Sequence, residues 1–490
     1  MDSMLDFVKE LSFVRVGGTE DERRAAEIIL REIGLAGEEL GRAGNAGAGP
    51  ERAGNAGAGP GRAGNAGEEP GRAGATGEEP GRAGSAGAGY RRAGAAGELA
   101  AFAIPYGAVK KWAVKAQGKE LHSRPYLRSG EIDRELRLLY LEQGSEIDFA
   151  LAGDLSDTAV LLNELREAEV YKRLVEHKAA AFLVFKGKYY STDYEASLYS
   201  QPLRDHFAQI GAIPGFAITA ADANRLIGEE VETVHLTLEQ EDTEETSQNV
   251  LATIKGADLP EESVALTAHY DSVPLGTGAW DNATGAAVLL AVYRHFIANP
   301  PRRTMRFIWC GSEELGLLGS KAYISQHEEL LESIRFAFNF DMCGTALGNN
   351  EIFIAGSREL ESYVDQFCRI AGYSAKMISR VQSSDSAPFC DRGIPALGLS
   401  RGTMAAAEIH SVRDVAAVLS ESALRRNLEF AVKIIGSFVN AAVIPVKREI
   451  SDETKKELDR YFCRDVKKTE EKIEEKGEKK VEKKSEKKGE

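Results

Sequence analysis

A histidine and two aspartates crowd the stretch LTAHYDSVPLGTGAWDNATG, residues Leu266 to Gly285. His269 and Asp271 follow directly on an apolar run, and Asp281 lies beyond a loop rich in glycine. Ionisable groups do not usually collect where a buried strand ends, so these need a reason. The pattern recurs downstream. Glu313 and Glu314 follow the apolar run TMRFIWC, Asp341 follows FAFNF, and His410 sits in AEIHSVRD. Brought together without a counter-charge, the four carboxylates of Asp281, Glu313, Glu314 and Asp341 would repel one another and be costly to desolvate. A pair of divalent cations resolves that conflict, and an odd carboxylate between two sites can bridge them. Nitrogen and oxygen donors without sulfur suit zinc or a similar transition metal.

Those side chains meet only if the surrounding elements deliver them to one place. From Val264 to Ile444 the apolar pattern alternates strand and helix. Strands are expected at Val264 to Ala268, Thr304 to Cys310, Phe336 to Phe340, Ile352 to Ala355 and Ala396 to Leu399. Helices are expected at about Ala283 to Ile297, Leu318 to Leu331, Arg358 to Ala371 and Glu421 to Val439. This predicts an α/β fold, a mixed and largely parallel sheet sandwiched by helices. In such a sheet the loops at the carboxyl ends of the strands form the binding crevice, which is where every residue named above falls. Upstream, Leu99 to about Lys255 reads as a mixture. Strands are expected at Ala181 to Phe185, Phe216 to Thr219 and Val231 to Leu238, with helices at Ala159 to Glu176 and Ala220 to Ile227. Near the start, Thr19 to Ile33 predicts a helix opened by a Thr19/Glu22 capping box and stopped at Gly34.

The chain of 490 residues is long enough for two or three domains. Its formal net charge of -15, with no basic stripe, argues against nucleic acid or an anionic membrane as partner. No run approaches the ~18 apolar residues of a membrane span. The start MDSMLDFVKE is acidic where a secretory signal is basic and then apolar, which predicts a cytoplasmic protein. Five cysteines, Cys310, Cys343, Cys368, Cys390 and Cys463, are scattered with no CxxC, which fits reduced thiols and no thiolate metal site. From Gly41 to Gly97 runs a decapeptide array that begins GRAGNAGAGP and ERAGNAGAGP. It lacks residues able to build a core, and its ten-residue unit breaks the strict glycine period of collagen. A flexible insertion is expected. The end of the chain, from about Lys467, is Lys/Glu-rich and is expected to be disordered.

AHYDSVPLGTGAWDNATG, GSEELGLLGS, NFDMCG, SSDSAPF and EIHS resemble, in that order, the motifs of the co-catalytic zinc aminopeptidases. That family also contains glutamate carboxypeptidases, glutaminyl cyclases and the transferrin receptor ectodomain. The motifs span Ala268 to Ser411. The resemblance implies two Zn2+ ions, with Co2+ or Mn2+ as substitutes. His269 and Asp341 would hold one, Glu314 and His410 the other, and Asp281 would bridge them. It implies Glu313 as general base and Asp271 as the group that orients His269, as ligating histidines require. Asp385, in SSDSAPF, would sit at the edge of the site as a substrate contact, although Ser386 stands where many relatives carry a ring residue.

The reaction implied is hydrolysis of the N-terminal bond of peptides with a free N-terminus, by a water lying between the metals. IPGFAITAADANRL and TSQNVLATIKG resemble the end of a protease-associated domain and the re-entry into a peptidase sheet. The expected plan is then peptidase segments at 1–40 and 98–121, the array at 41–97 and a protease-associated-like domain at 122–245. The catalytic domain follows at 246–447 and a charged tail at 448–490. Two other readings share the fold: a single-zinc glutaminyl cyclase, and a non-catalytic receptor or scaffold. DNATG looks more like the peptidases, and scaffolds of this kind lose ligands that this chain keeps.

Each residue also has a plainer reading. Asp281 and Asn282 could simply cap the helix that follows, and Glu313 and Glu314 could be first-turn acids favoured by a helix dipole. The remaining histidines act as controls. His295 is expected on a solvated face and His327 half-buried, and His122, His177, His206 and His235 are given no chemistry.

Overall fold

The computed structural model describes residues 3–46, 97–165, 168–187, 198–403, 407–462 and 464. The chain opens with helices α1 (Met4–Leu11) and α2 (Glu20–Ala46). Strand β1 (Glu98–Ala116) then leads into a smaller body. Its elements are β2 (Lys119–Glu120), β3 (Ser123–Leu127), β4 (Ile132–Tyr140), α3 (Glu146–Ala152), β5 (Thr158–Leu162), α4 (Ala168–Glu176), β6 (Ala181–Lys186), β7 (Gln201–Pro202), α5 (Asp205–Ala208), β8 (Gly215–Thr219) and α6 (Ala220–Gly228). The long strand β9 (Thr233–Ile254) returns to the larger body. There follow β10 (Leu259–His269), α7 (Thr284–Ala298), β11 (Arg303–Cys310), α8 (Leu318–Gln326), β12 (Ile334–Phe340), β13 (Asn349–Ala355), α9 (Arg358–Ala371), β14 (Lys376–Ile378), α10 (Ser386–Asp391), β15 (Ala396–Gly402), α11 (Glu421–Val439) and α12 (Asp452–Tyr461).

In the larger body β11, β10, β12 and β15 lie side by side and parallel, flanked by antiparallel β9 and β13. Val264, Ala265, Leu266 and Ala268 of β10 are all fully buried, on both faces. A continuous apolar run is what a central parallel strand needs, because helices cover it on either side. α1, α2, α7 and α11 pack one face, where Trp309, Phe307, Tyr293 and Phe438 are buried, and α8, α10 and α12 pack the other. The fold class expected from the strand–helix alternation is the one observed.

In the smaller body the same sheet continues from β9 into β4, β5, β6 and β8, which run parallel. This body has its own apolar cores on the two faces, one around Phe149, Tyr171 and Phe182 and one around Leu183, Phe216 and Leu236. β1 and β9 pair antiparallel from Glu98↔Leu251 to Lys115↔His235, with a register shift between Val109 and Lys111. β9 pairs with β11 near one end and with β4 near the other, so the chain crosses between the bodies inside strands.

Two expected helices need correction. Residues 159–162 are a strand, not the start of a helix: Ala159, Val160, Leu161 and Leu162 are each 0% exposed in the middle of a sheet, and only Ala168–Glu176 is helical. Four consecutive apolar residues fit either element, and burial on both faces decided for strand. The N-terminal helix does not stop at Gly34. It continues to Ala46, because Ala36 extends the buried face and a hydrogen-only side chain in open space costs only about 1 kcal/mol. The array from 41 to 97 otherwise lies outside the described residues, as does 465–490. In the charged segment from 448 onward, α12 docks by burying Leu458 beside Val381 and Phe389. Among the described residues no helix is long and apolar enough to cross a membrane.

Gly97, just before β1, packs against Leu30 and Ile33 of α2, so the array departs and returns without having to hold these elements together. From Ile33 to Ala46 the helix runs on for about 20 Å. A Gly/Ser linker of about ten residues spans that distance. Replacing residues 47–96 by such a linker is expected to leave soluble yield unchanged and kcat/KM within about twofold of the full chain. Loss of soluble protein or of turnover would show that the array contributes to the folded enzyme.

Candidate metal centre

Every acid and histidine in the cluster sits just past the carboxyl end of a parallel strand or on a loop that returns to that edge. β10 ends in His269, and β11 leads within four residues to Glu313 and Glu314. β12 is followed at once by Asp341, and the loop after β15 carries His410. Asp281 is placed by the turn Ala279–Ala283 that opens α7, and its peptide bond to Asn282 is cis.

The ligand atoms form two trios, His269 with Asp281 and Asp341, and Asp281 with Glu314 and His410, each within 4.8 Å of one another. Asp281 belongs to both, one oxygen to each. Its Oδ1 lies 3.1 Å from His269 Nε2 and its Oδ2 3.2 Å from His410 Nε2. Asp341 Oδ1 stands 3.6 Å from His269 Nε2, and Glu314 Oε2 stands 3.1 Å from His410 Nε2. The first trio is closed, with His269 1% exposed, whereas the His410 side chain is 40% exposed.

Charge in this crowd is strongly perturbed. Burial lifts Glu313 well above the usual carboxylate range, against the opposing pull of His269, and Glu314 and Asp385 raise it further. Burial raises Glu314 in the same way. Burial alone would lower the two histidines. The surrounding acids outweigh it, so His269 and His410 are raised well above their ordinary value. Burial would also raise Asp281, but the two histidines between which it lies hold it below the carboxylate range. The crowded acids thus favour positive charge at the centre. Glu314 Oε1 and Asp341 Oδ1 are buried with no hydrogen-bond partner among the described residues. Orphaned donor atoms of the right chemistry, turned inward in two groups, fit a pair of divalent metal ions. The nearby thiols do not take part: burial raises both Cys310 and Cys343, and Cys343 Sγ faces the Leu399 carbonyl.

The supporting residues hold this geometry. Asp271 is 0% exposed and lies 3.4 Å from His269 Nδ1. Its two oxygens also accept the backbone N–H groups of Glu313 (3.0 Å) and Glu314 (3.1 Å), so one carboxylate ties two strand ends together. The cap expected at the start of α7 falls to Asn282. Its Oδ1 accepts from Gly285 N and Met342 N, and its Nδ2 donates to the Phe340 carbonyl. Asp281 is left free for the cluster. Asp385 does not stand at an open edge. It is 0% exposed at the start of α10, where burial lifts it to about 6, and it faces His269, Asp271 and Asp341 from below. The control histidines lie elsewhere. His295 is exposed, and His327 stacks half-buried on Tyr323. His122 pairs with Asp222 and His235 with Asp133, His177 meets the Gly153 carbonyl, and the His206 side chain lies outside the described residues.

Several functional residues have no motif to announce them. Asp414 accepts from Trp280 N (2.7 Å) and Asp281 N (3.0 Å), coupling the His410 loop to the shared ligand. Its place four residues beyond His410 was the available signal. Arg15 is fully buried behind the cluster. It donates to the carbonyls of Leu11, Phe13, Tyr270, Thr277 and Gly278, and its charge faces Asp271, Asp414, Asp281 and Glu314. Tyr199, from the smaller body, meets the His410 ring edge-on at 6.4 Å. Tyr461 of α12 shares a 2.8 Å hydrogen bond with Ser383 in the Asp385 loop. Arg15→Met is expected to cost about 3–5 kcal/mol in a urea titration, since it strands buried carbonyls and removes the resident cation behind the acids. A loss under 1 kcal/mol would mean that water replaces the guanidinium freely.

Residues 249–435 match Peptidase family M28. Aminopeptidase YwaD of Bacillus subtilis (strain 168) is 32% identical over 226 residues, 44% of this chain and 48% of its own length. Leucine aminopeptidase 2 of Trichophyton equinum is 33% identical over 169 residues, 32% of this chain and 34% of its own. The alignments thus span half or less of these relatives. The structure of BSAP, a zinc aminopeptidase from Bacillus subtilis, superposes with a TM-score of 0.64 at 20% identity, covering 92% of this chain and 98% of BSAP. The aminopeptidase from Aneurinibacillus sp. strain AM-1 gives 0.61 at 20% identity, covering 91% of this chain and 96% of its own. At that identity the likeness is one of fold.

Proposed function

We propose, from the match of residues 249–435 to Peptidase family M28, that the protein is a zinc-dependent aminopeptidase that removes residues from the free N-terminus of peptides. The observation that carries this reading is the division of the Asp281 carboxylate between two ligand trios. A single-metal centre has no use for a second, complete trio, and a scaffold has no use for either. His269 and Asp341 would hold one ion, Glu314 and His410 the other, with Asp281 common to both. When bound, zinc would supply Lewis acidity toward the scissile carbonyl and the attacking water.

The remaining work falls to the chain. Glu313 is half-buried, and its carboxylate makes no hydrogen bond among the described residues, so it is free to take a proton. Burial and neighbouring acids raise its affinity for a proton, as suits a base that accepts the proton of the water and returns it to the leaving amine. Asp271 holds the backbone of Glu313 and Glu314 and faces His269, so it fixes base and ligands in one frame. The surplus of acid at the crevice would favour a substrate with a free α-ammonium group. We read the smaller body, 122–245, as a protease-associated-like domain. Its separate cores support that reading, and Tyr199 brings it to the rim of the centre.

The test compares aminoacyl-nitroanilides with their N-acetylated forms. Free-amine substrates are expected to be cleaved at least about 100-fold faster, because a site built around the amine is left unpaired by the blocked form. Equal rates would rule out exopeptidase recognition. Ammonia release from N-terminal glutamine without peptide cleavage would point to a cyclase instead.

A further inference from the structure

Three successive backbone N–H groups lead into the metal centre, and each donates to a carboxylate. Glu313 and Glu314 donate to Asp271, as described. The first of the three, Ser312 N, donates to Glu22 Oε1 at 2.8 Å, from 290 positions upstream in the chain. The same oxygen accepts Ser312 Oγ at 3.1 Å and Ser247 Oγ at 2.9 Å, while Oε2 accepts Gly18 N at 2.8 Å. Glu22, Ser247 and Ser312 are each 0% exposed. This is not the capping box that the sequence predicted. Thr19 Oγ1 does accept from Glu22 N, but the Glu22 carboxylate takes Gly18 N rather than Thr19 N with one oxygen and turns the other toward the strand end.

The approach is tight. A Cβ on Gly311 would come within 2.8 Å of Glu22 Oε1 and 2.5 Å of the Gln248 carbonyl, and one on Gly17 would strike the Ser312 side chain. Ser312 also holds a left-handed backbone, φ 53°, which a non-glycine residue keeps only when its surroundings impose it. Burying a carboxylate beside Asp271 is costly, and burial is the main cause that raises Glu22 to about 8. A merely structural link between α2 and the strand end could be made by apolar packing.

We propose that Glu22 is a positioning residue for catalysis: with Asp271 it fixes the Ser312–Glu313–Glu314 backbone and so aims the Glu313 carboxylate. This rests on the reading of Glu313 as the base. The helix that precedes the array is then part of the catalytic apparatus. A base displaced by about 1 Å loses on the order of 10²-fold in rate, so imperfect positioning reads out in turnover.

The experiment uses the full chain loaded with zinc. Glu22→Ala is expected to keep its zinc and a KM within about threefold, while kcat per folded molecule falls at least about tenfold. Glu22→Gln should recover kcat to within about threefold, because its amide oxygen still accepts from Ser312 and Ser247. In a Glu313→Gln background, Glu22→Ala should lower kcat no further, since the group it aims is gone. An unchanged kcat in Glu22→Ala, or a full additional loss in the Glu313→Gln background, would overturn the proposal. If Glu22→Ala does not fold, Glu22→Asp withdraws the acceptor by one methylene and should show the same loss, and an unchanged kcat there overturns it equally. A wild-type protein inactive on free-amine substrates would defeat the aminopeptidase reading and this proposal together. An active wild type with indifferent Glu22 variants would defeat this proposal alone.

Discussion

Glu313→Gln is expected to lower kcat by about 10²–10⁴ while leaving zinc content and KM near those of the parent. The amide keeps the size and polarity of the side chain but cannot accept a proton. Nothing else should move, because the backbone at 313 is held by Asp271 through its N–H and not through its side chain. Glu314→Gln is the contrasting change. Glu314 Oε2 lies 3.1 Å from His410 Nε2 in the more open trio, so the amide should weaken that half of the centre and give partial rescue by excess zinc. Metal analysis beside kcat and KM for both variants separates the roles. If Glu313→Gln loses metal while Glu314→Gln keeps it and loses only kcat, the two assignments are exchanged. If neither change matters, catalysis lies elsewhere.

Stripping divalent metal is expected to abolish hydrolysis, and added zinc, cobalt or manganese to restore it. The buried thiols of Cys310 and Cys343 are raised away from the reactive form, which disfavours a thiol nucleophile there. Removal should also lower stability. A ligand present at a thousand times its Kd stabilises the folded state by about 4 kcal/mol, so thermal melts of chelated and zinc-reloaded protein should separate clearly. The stripped protein should still fold, because the sheet and its apolar cores do not depend on the centre and Arg15 remains behind the acids. Full activity after verified metal loss would refute the mechanism.

The larger body was legible because its strands are long apolar runs bounded by glycine, proline and acids. The helices at 358–371 and 421–439 match their expected limits for the same reason, an uninterrupted amphipathic period closed by clear stops. Residues 159–162 were not legible, since four apolar residues carry no period and only the neighbouring strands decide their state. The cluster itself was readable because its members stand directly after strands, where topology alone brings them together. Arg15, Glu22 and Asp414 were hidden for the opposite reason. Their partners are backbone N–H and carbonyl groups far away in sequence, and a backbone group has no residue type to recognise. Asp385 was read as a rim residue from its motif, and only packing shows that it faces inward.

The pairing of β1 with β9 has a mechanical consequence. Bodies joined by loops can swing apart, but these are joined through a ladder that runs from Glu98↔Leu251 to Lys115↔His235. Opening the gap between them would mean tearing that ladder, so the compliance available is elastic torsion of a two-stranded ribbon, softest at the irregularity between Val109 and Lys111. Tyr199 and His410, one from each body, are therefore held at a separation that the ribbon resists changing.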